Sequence, residues 1–455
     1  MIEKYLPYYK RLLLLAMPLV FTQAGQMIVH LVDNAMVGRV GTTELAAAAF
    51  ANNVFMVVMI FGIGIFIGIT PLLGHATGAN SDHKVASIVK NGFALAIILV
   101  VVLGSVSWGI SYVLPYLNQP EEVWKLAIPY FRLLTLSLIP FLFFMFLKQV
   151  GEGLNNTVLA MIATIASNII NIVLNYGFIF GKMGFPELGL TGAGYATLIS
   201  RISMPILIYI GFRSLKKFKH YFKQMPGEKY SFKAIRQIVV IGLPIAAQLV
   251  VEISIFAFGA IMMGWIGDVQ LASHQVALGL ASFTFMIANG VAMASTIRVS
   301  FQLGKKDFSS MEKVSLSAVH LVVVYMLICG IGFLLFRFQL PKIFSPDPLV
   351  IAQAASLLIL AAIFQVFDGL QVVCLGILRG FADVKVPMII ATISYLLVGL
   401  PISYLFAFTL GFGPEGIWMG FVAGLATAGV LLAFRIRLKI REAEGIGLKQ
   451  NKMKV

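Results

Sequence analysis

The sequence predicts an all-α polytopic membrane protein of twelve transmembrane helices, built as two parallel six-helix repeats. Composition, the spacing of apolar runs and the self-similarity of the chain all point there. Of 455 residues, 59% are hydrophobic and 12% charged, against about 25% charged in an ordinary soluble domain. A mean hydropathy of +0.93 shows that the apolar residues are not confined to one core stripe. Apolar segments long enough to cross a bilayer fall at 12–37, 45–72, 92–116, 126–147, 158–181, 189–212, 238–266, 271–297, 314–337, 350–378, 387–411 and 415–436. The opening KYLPYYKRLLLLAMPLV has the basic start and apolar run of a signal peptide. No small-residue cleavage site follows and the run continues to Val37, so it reads as the first helix.

Connections are short except for the polar stretch 213–236. The expected organisation is an N-terminal bundle at 1–212, a basic connection at 213–236, a C-terminal bundle at 237–438 and a basic tail at 439–455. With twelve spans, the termini, the central connection and the even-numbered loops share one side. They carry 27 of the 34 Lys and Arg. Arg39, Lys125, Lys182, Arg337 and Lys342 lie in the opposite loops, and Arg132 and Arg201 within or beside helices. This asymmetry predicts that both termini are cytoplasmic. The formal charge of +15 is then a topology signal with some attraction to anionic lipid, not a nucleic-acid footprint. Cys329 and Cys374 sit inside apolar runs, which argues against a disulfide scaffold. No Walker A motif is present, and the six histidines lack metal spacing. His274 and His320 read as polar contacts, and Thr77–Asp82 and Gln302–Lys306 as tight turns.

An offset of 226 residues aligns the first third of each half without a gap. Pro18 meets Pro244, MVGRVG (36–41) meets MMGWIG (262–267), Gly64 meets Gly290, Thr70 meets Thr296 and Gly78 meets Gly304, with ten identities from 18 to 78. Further on, Gly153 pairs with Gly380. Six spans per repeat is an even number, so the repeats are parallel, an architecture that places substrate near the membrane midplane.

The intramembrane acids break this repetition. Glu252 aligns with Gln26, Asp33 with Gly259 and Asp368 with Phe141. A carboxylate at the centre of a spanning helix costs about 2.5–3.5 kcal/mol on insertion scales. Acids that interrupt a symmetric scaffold at that cost read as functional. Asp33 lies one turn from a helix end, where capping is the competing explanation. Asn168, Asn171 and Asn175 recur at spacings of three and four, on one helix face. They could glue helices together or, beside an acid, supply oxygen ligands to a hard cation or a proton relay.

Several motifs in order resemble the multidrug and toxic compound extrusion family, specifically its NorM-type branch, over about residues 8–438. These are HLVDNAMVGRVG, ASHQVALGL, TIRVSFQLG and DGLQVVCLGILRG, with GKMGFPELGLTGAGYAT after the fifth span. The resemblance implies two six-helix bundles around a central cavity. It implies a transporter, not an enzyme, that needs no cofactor and expels cationic amphipathic drugs or dyes in exchange for sodium ions or protons. The family's C-lobe cation-site acids match Glu252 and Asp368, where Na+ would bind. Its N-lobe proton or substrate site matches Asp33, Asn171 and Asn175, with Gln26, Asn168 and Phe364 as candidate cavity lining. At Phe364 the branch often has a tyrosine, so a hydroxyl is lacking there. A monomer in membrane lipid is expected. A lipid or lipid-linked oligosaccharide flippase is the alternative, though it would favour a cationic cavity. An integral-membrane lipid enzyme would want acids or histidines in a sizeable loop, and the longest loop here is basic.

Overall fold

The computed structural model describes residues 2–452. The last three residues of the basic tail, 453–455, lie outside the described residues. Twelve helices are long and apolar enough to cross a membrane, and no strand occurs among the described residues. In chain order the first six are α1 (Ile2–Gly38), α2 (Thr42–Gly78), α3 (Asp82–Ile110), α4 (Glu121–Gly153), α5 (Val158–Phe180) and α6 (Gly189–Ser214). The short α7 (Lys216–Gln224) lies in the connection. Then come α8 (Phe232–Ile266), α9 (Asp268–Gly304), α10 (Phe308–Leu335), α11 (Pro348–Gly380), α12 (Lys385–Thr409) and α13 (Gly413–Lys452).

Most helices run past their apolar segments. The span expected at 92–116 starts at Asp82 and ends at Ile110. Hydropathy marks where hydrocarbon must be met, whereas backbone hydrogen bonding carries a helix on through the polar interface. At the other end, residues 112–116 give way to a turn at Leu114–Tyr116.

The chain divides into two compact units, Phe21–Ala246 and a second made of Met1–Val20 with Ala247–Val455. Both boundaries fall inside helices, α1 and α8. The first unit is cored by large side chains such as Phe66, Phe131, Phe144 and Phe146, and the second by Trp418, Phe421 and the aliphatic faces of α9 and α11.

Within each unit the same devices recur at repeat-related positions. Asn80 and Lys306 both take positive φ, 51° and 59°, as do Asn155 and Ala382 at 61° and 57°. Each follows a helix end and lets the next amide bond back to a carbonyl five residues earlier: Ser81 N to Ala76 O, Asp307 N to Gln302 O, Asn156 N to Gly151 O and Asp383 N to Leu378 O, at 2.9–3.0 Å. Thr70 Oγ1 donates to Gln149 Oε1 at 2.6 Å, and Thr296 Oγ1 to Gly376 O at 2.7 Å. A Cβ on Gly153 would stand 2.6 Å from Leu73 Cβ, and one on Gly380 2.8 Å from Val299 Cβ. Residue 73 is the repeat counterpart of 299. The paired glycines are therefore sites of close helix contact, which no larger residue fits without displacement.

Candidate ion and substrate sites

In the second unit, α11 presents Gln365, Asp368 and Gln371 at spacings of three, so all three lie on one face. The helix is started firmly: Asp347 caps it, its side chain accepting from Leu349 N at 2.8 Å, and Pro348 occupies the first position. Glu252 of α8 meets that face. Its Oε1 accepts from Gln371 Nε2 at 2.6 Å and from Gln248 Nε2, one turn earlier on α8, at 3.2 Å. Asp368 is buried, and no hydrogen-bond donor reaches its carboxylate among the described residues. Gln365 is buried too, and neither end of its amide has a partner. An orphaned buried amide costs about 1–3 kcal/mol, a cost that a bound ligand would relieve.

Two further groups complete the cluster. Tyr395 is buried and its hydroxyl feels the charge of both Glu252 and Asp368. It sits in a π-helical stretch of α12, Ile393–Gly399, followed by Pro401 and a second such stretch at Leu405–Thr409. Proline lacks the N–H that would bond four residues back, and widened turns of this kind gather at functional sites. Arg379, in the last turn of α11, is buried and acts electrostatically on Glu252. Phe364 is packed edge-on against Trp418 (ring centroids 5.3 Å) and against Phe256 (6.2 Å). The phenolic oxygen near the acids thus comes from α12. His274 accepts from Trp418 Nε1 at 3.2 Å, and His320 contacts the Tyr9 hydroxyl at 3.2 Å.

The first unit holds a continuous polar chain. Asn175 Nδ2 donates to Asp33 Oδ1 at 2.5 Å and also contacts Asn171 Oδ1 at 3.1 Å. Asn171 Nδ2 in turn donates to Ser200 Oγ at 3.3 Å. Asp33 is half-buried, while Asn171 and Asn175 are buried. Arg201 of α6 is the cation whose charge reaches Asp33. It donates to Ser137 Oγ at 2.8 Å and lies over the rings of Phe141 (5.0 Å) and Phe55 (5.4 Å). Asn168, also buried, closes on α1 where Gly25 leaves room, since a Cβ there would stand 2.9 Å from its Nδ2. Gln26 is exposed on α1.

The structure therefore joins Glu252 to Asp368's face of α11, and Asp33 to Asn171 and Asn175, each set inside one unit. Sequence reasoning missed Gln248, Gln365, Gln371 and Tyr395. It missed Arg379 as well, and it placed Arg201 within or beside a helix without a partner. The repeat explains why no acid stands opposite Asp33: at Gly259 a Cβ would fall on the Phe421 ring.

The family model MatE matches residues 18–177 and again 244–405, once in each half. The chain is 33% identical over 446 residues to a probable multidrug resistance protein NorM of Agrobacterium fabrum, covering 95% of this chain and 94% of that one. It is 31% identical to the multidrug resistance protein NorM of Photobacterium profundum, covering 94% and 95%. Among solved structures, a MATE transporter in a bent conformation superposes with a TM-score of 0.89 at 21% identity, over 96% of this chain and 97% of that one. The eukaryotic MATE transporter AtDTX14 gives 0.84 at 20%, over 96% and 98%. With twelve spanning helices, a motif set in register and a match through both halves, this multi-pass membrane protein belongs to the MATE family of transporters, in its NorM-type branch.

Proposed function

We propose that the protein is a secondary active multidrug efflux transporter that exchanges cytoplasmic cationic amphipathic compounds for external sodium ions or protons. The observation that carries this reading is the charge balance around Glu252. Ionised, Glu252 and Asp368 with Arg379 sum to one negative charge, and Asp368 has no donor of its own. One monovalent cation restores neutrality, whether sodium bound among the oxygens of Glu252, Asp368, Tyr395 and Gln365 or a proton on a carboxylate. Carboxylate, phenol and amide oxygens suit a hard cation. In the first unit Asp33 already has Arg201, so that site is balanced in the absence of a ligand. It suits a proton or substrate exchange that passes along Asn175 and Asn171.

Exchange follows if ion and drug each favour a different one of an inward-open and an outward-open state, since a ligand shifts an equilibrium only by its differential affinity. The basic-residue asymmetry supports cytoplasmic termini in a bacterial inner membrane, and the protein acts there as a monomer. The test is ethidium efflux from proteoliposomes with sodium and pH gradients imposed separately. Efflux driven by one of them, and lost in Glu252→Gln, is expected. Equal dye movement with no gradient of either ion would overturn the exchange reading.

A further inference from the structure

Away from both polar clusters, the unit Phe21–Ala246 has an open groove of about 840 Å³ between α3, α4 and α6. The surface it presents is apolar throughout. Phe93, Leu136, Ile139, Ile202, Ile206 and Tyr209 all line it, and each is exposed, so the groove opens sideways rather than into a core. Pro140 and Pro205 stand in two of its walls. Each removes one backbone hydrogen bond from its helix and pushes the backbone aside.

One end of the groove is closed by Phe222 of α7 and by Met225. α7 is strongly two-faced. Phe218, Tyr221 and Phe222 turn inward, with Phe218 stacked on Phe212 of α6 at 4.2 Å, while Lys216, Lys219 and Lys223 are exposed. Arg213 lies with its guanidinium 5.6 Å from the ring of groove-lining Tyr209. The acids of this end are already engaged: Asp82 with His220 at 2.8 Å, and Glu228 with His83 at 3.0 Å. Lys219 and Lys223 have no acidic partner among the described residues.

A drug-sized ligand site of this volume normally carries a few placed polar groups, whereas the surface this groove presents is apolar and Tyr209 alone among its lining residues has a polar side-chain atom. An acyl chain needs none. Moving such a chain out of bilayer hydrocarbon gains little hydrophobic free energy, so packing and the headgroup must supply selectivity. Basic residues beside an interfacial helix supply it for anionic lipid. We propose that this groove holds an acyl chain of an anionic phospholipid whose phosphate lies against Arg213, Lys219 and Lys223. The lipid would then tie α7 and the central connection to α3, α4 and α6.

The full-length protein, purified and delipidated in detergent, is titrated with phosphatidylglycerol or with phosphatidylcholine of the same chains. Bound lipid is counted by native mass spectrometry and stability is followed by thermal melting. Wild type should retain one phosphatidylglycerol at least ~10-fold more tightly than phosphatidylcholine, the minimum that two or three interfacial cations would give. The triple variant Arg213→Ala, Lys219→Ala, Lys223→Ala should lose that preference while melting normally without lipid. Ile206→Trp, which fills the groove, should weaken both lipids. Equal retention of the two lipids by wild type, or an unchanged preference in the triple variant, overturns the proposal. Displacement of the lipid by ethidium would make the groove a drug site and overturn it as well.

Discussion

Glu252 receives two amide donors on one oxygen, whereas Asp368 receives none, and the difference decides what each substitution should do. Glu252→Gln keeps one carbonyl oxygen for the donors of Gln248 and Gln371, both of which bond the same oxygen, but removes the charge. Asp368→Asn removes a charge that has no cationic partner among the described residues. Both variants should fold, and each should reduce gradient-driven dye efflux at least ~10-fold, because a shared ion site loses its charge either way. The double variant should cost little more than either single one, as groups acting as a unit are not additive. A double variant whose loss equals the product of the two would show separate sites. Asp33→Asn should lower drug resistance at unchanged membrane abundance, and full resistance would return Asp33 to a capping role. The acids are legible in sequence because a charge in hydrocarbon is costly. Gln365, Gln371 and Tyr395 are not, because an amide or phenol in an apolar helix is unremarkable until a facing helix is known.

At the scale of the element, the repeat is kept by close contacts. A Cβ on Gly376 would stand 2.3 Å from Ala292 O, against backbone that cannot swing aside. Gly376→Val should therefore destabilise by about 1–3 kcal/mol, the usual cost of overpacking. A lower melting temperature of the purified protein is the readout. Gly332, beside which a Cβ meets nothing within 4 Å, is the control, and Gly332→Ala should melt as wild type does. Helix number and order were legible because a spanning helix needs a long apolar run. The ends were not, since α3 begins ten residues before its apolar segment. Nor were the π-helical turns of α12, for which Pro401 is the only visible sign.

For the whole molecule, orientation depends on which side the basic residues share. The MatE match at 18–177 and 244–405 restates the offset of the repeat, and an even number of spans per repeat puts the central connection and both termini on one face. That connection is ordered against the unit Phe21–Ala246: Lys90 Nζ donates to Glu228 O at 2.7 Å, and Ser231 N to Asn91 Oδ1 at 2.7 Å. Gly227 immediately precedes the first of these ties, and a side chain there meets nothing within 4 Å. It is a position where a reporter will not disturb the fold. In a background with Cys329→Ser, Cys374 being fully buried, Gly227→Cys should resist an impermeant maleimide in intact cells and react after lysis. A cysteine replacing Lys342, which is exposed in an opposite loop, should already react in intact cells. Positive charge is retained on the cytoplasmic side because translocating it during insertion is unfavourable. Labelling of Gly227→Cys in intact cells would therefore invert the proposed orientation.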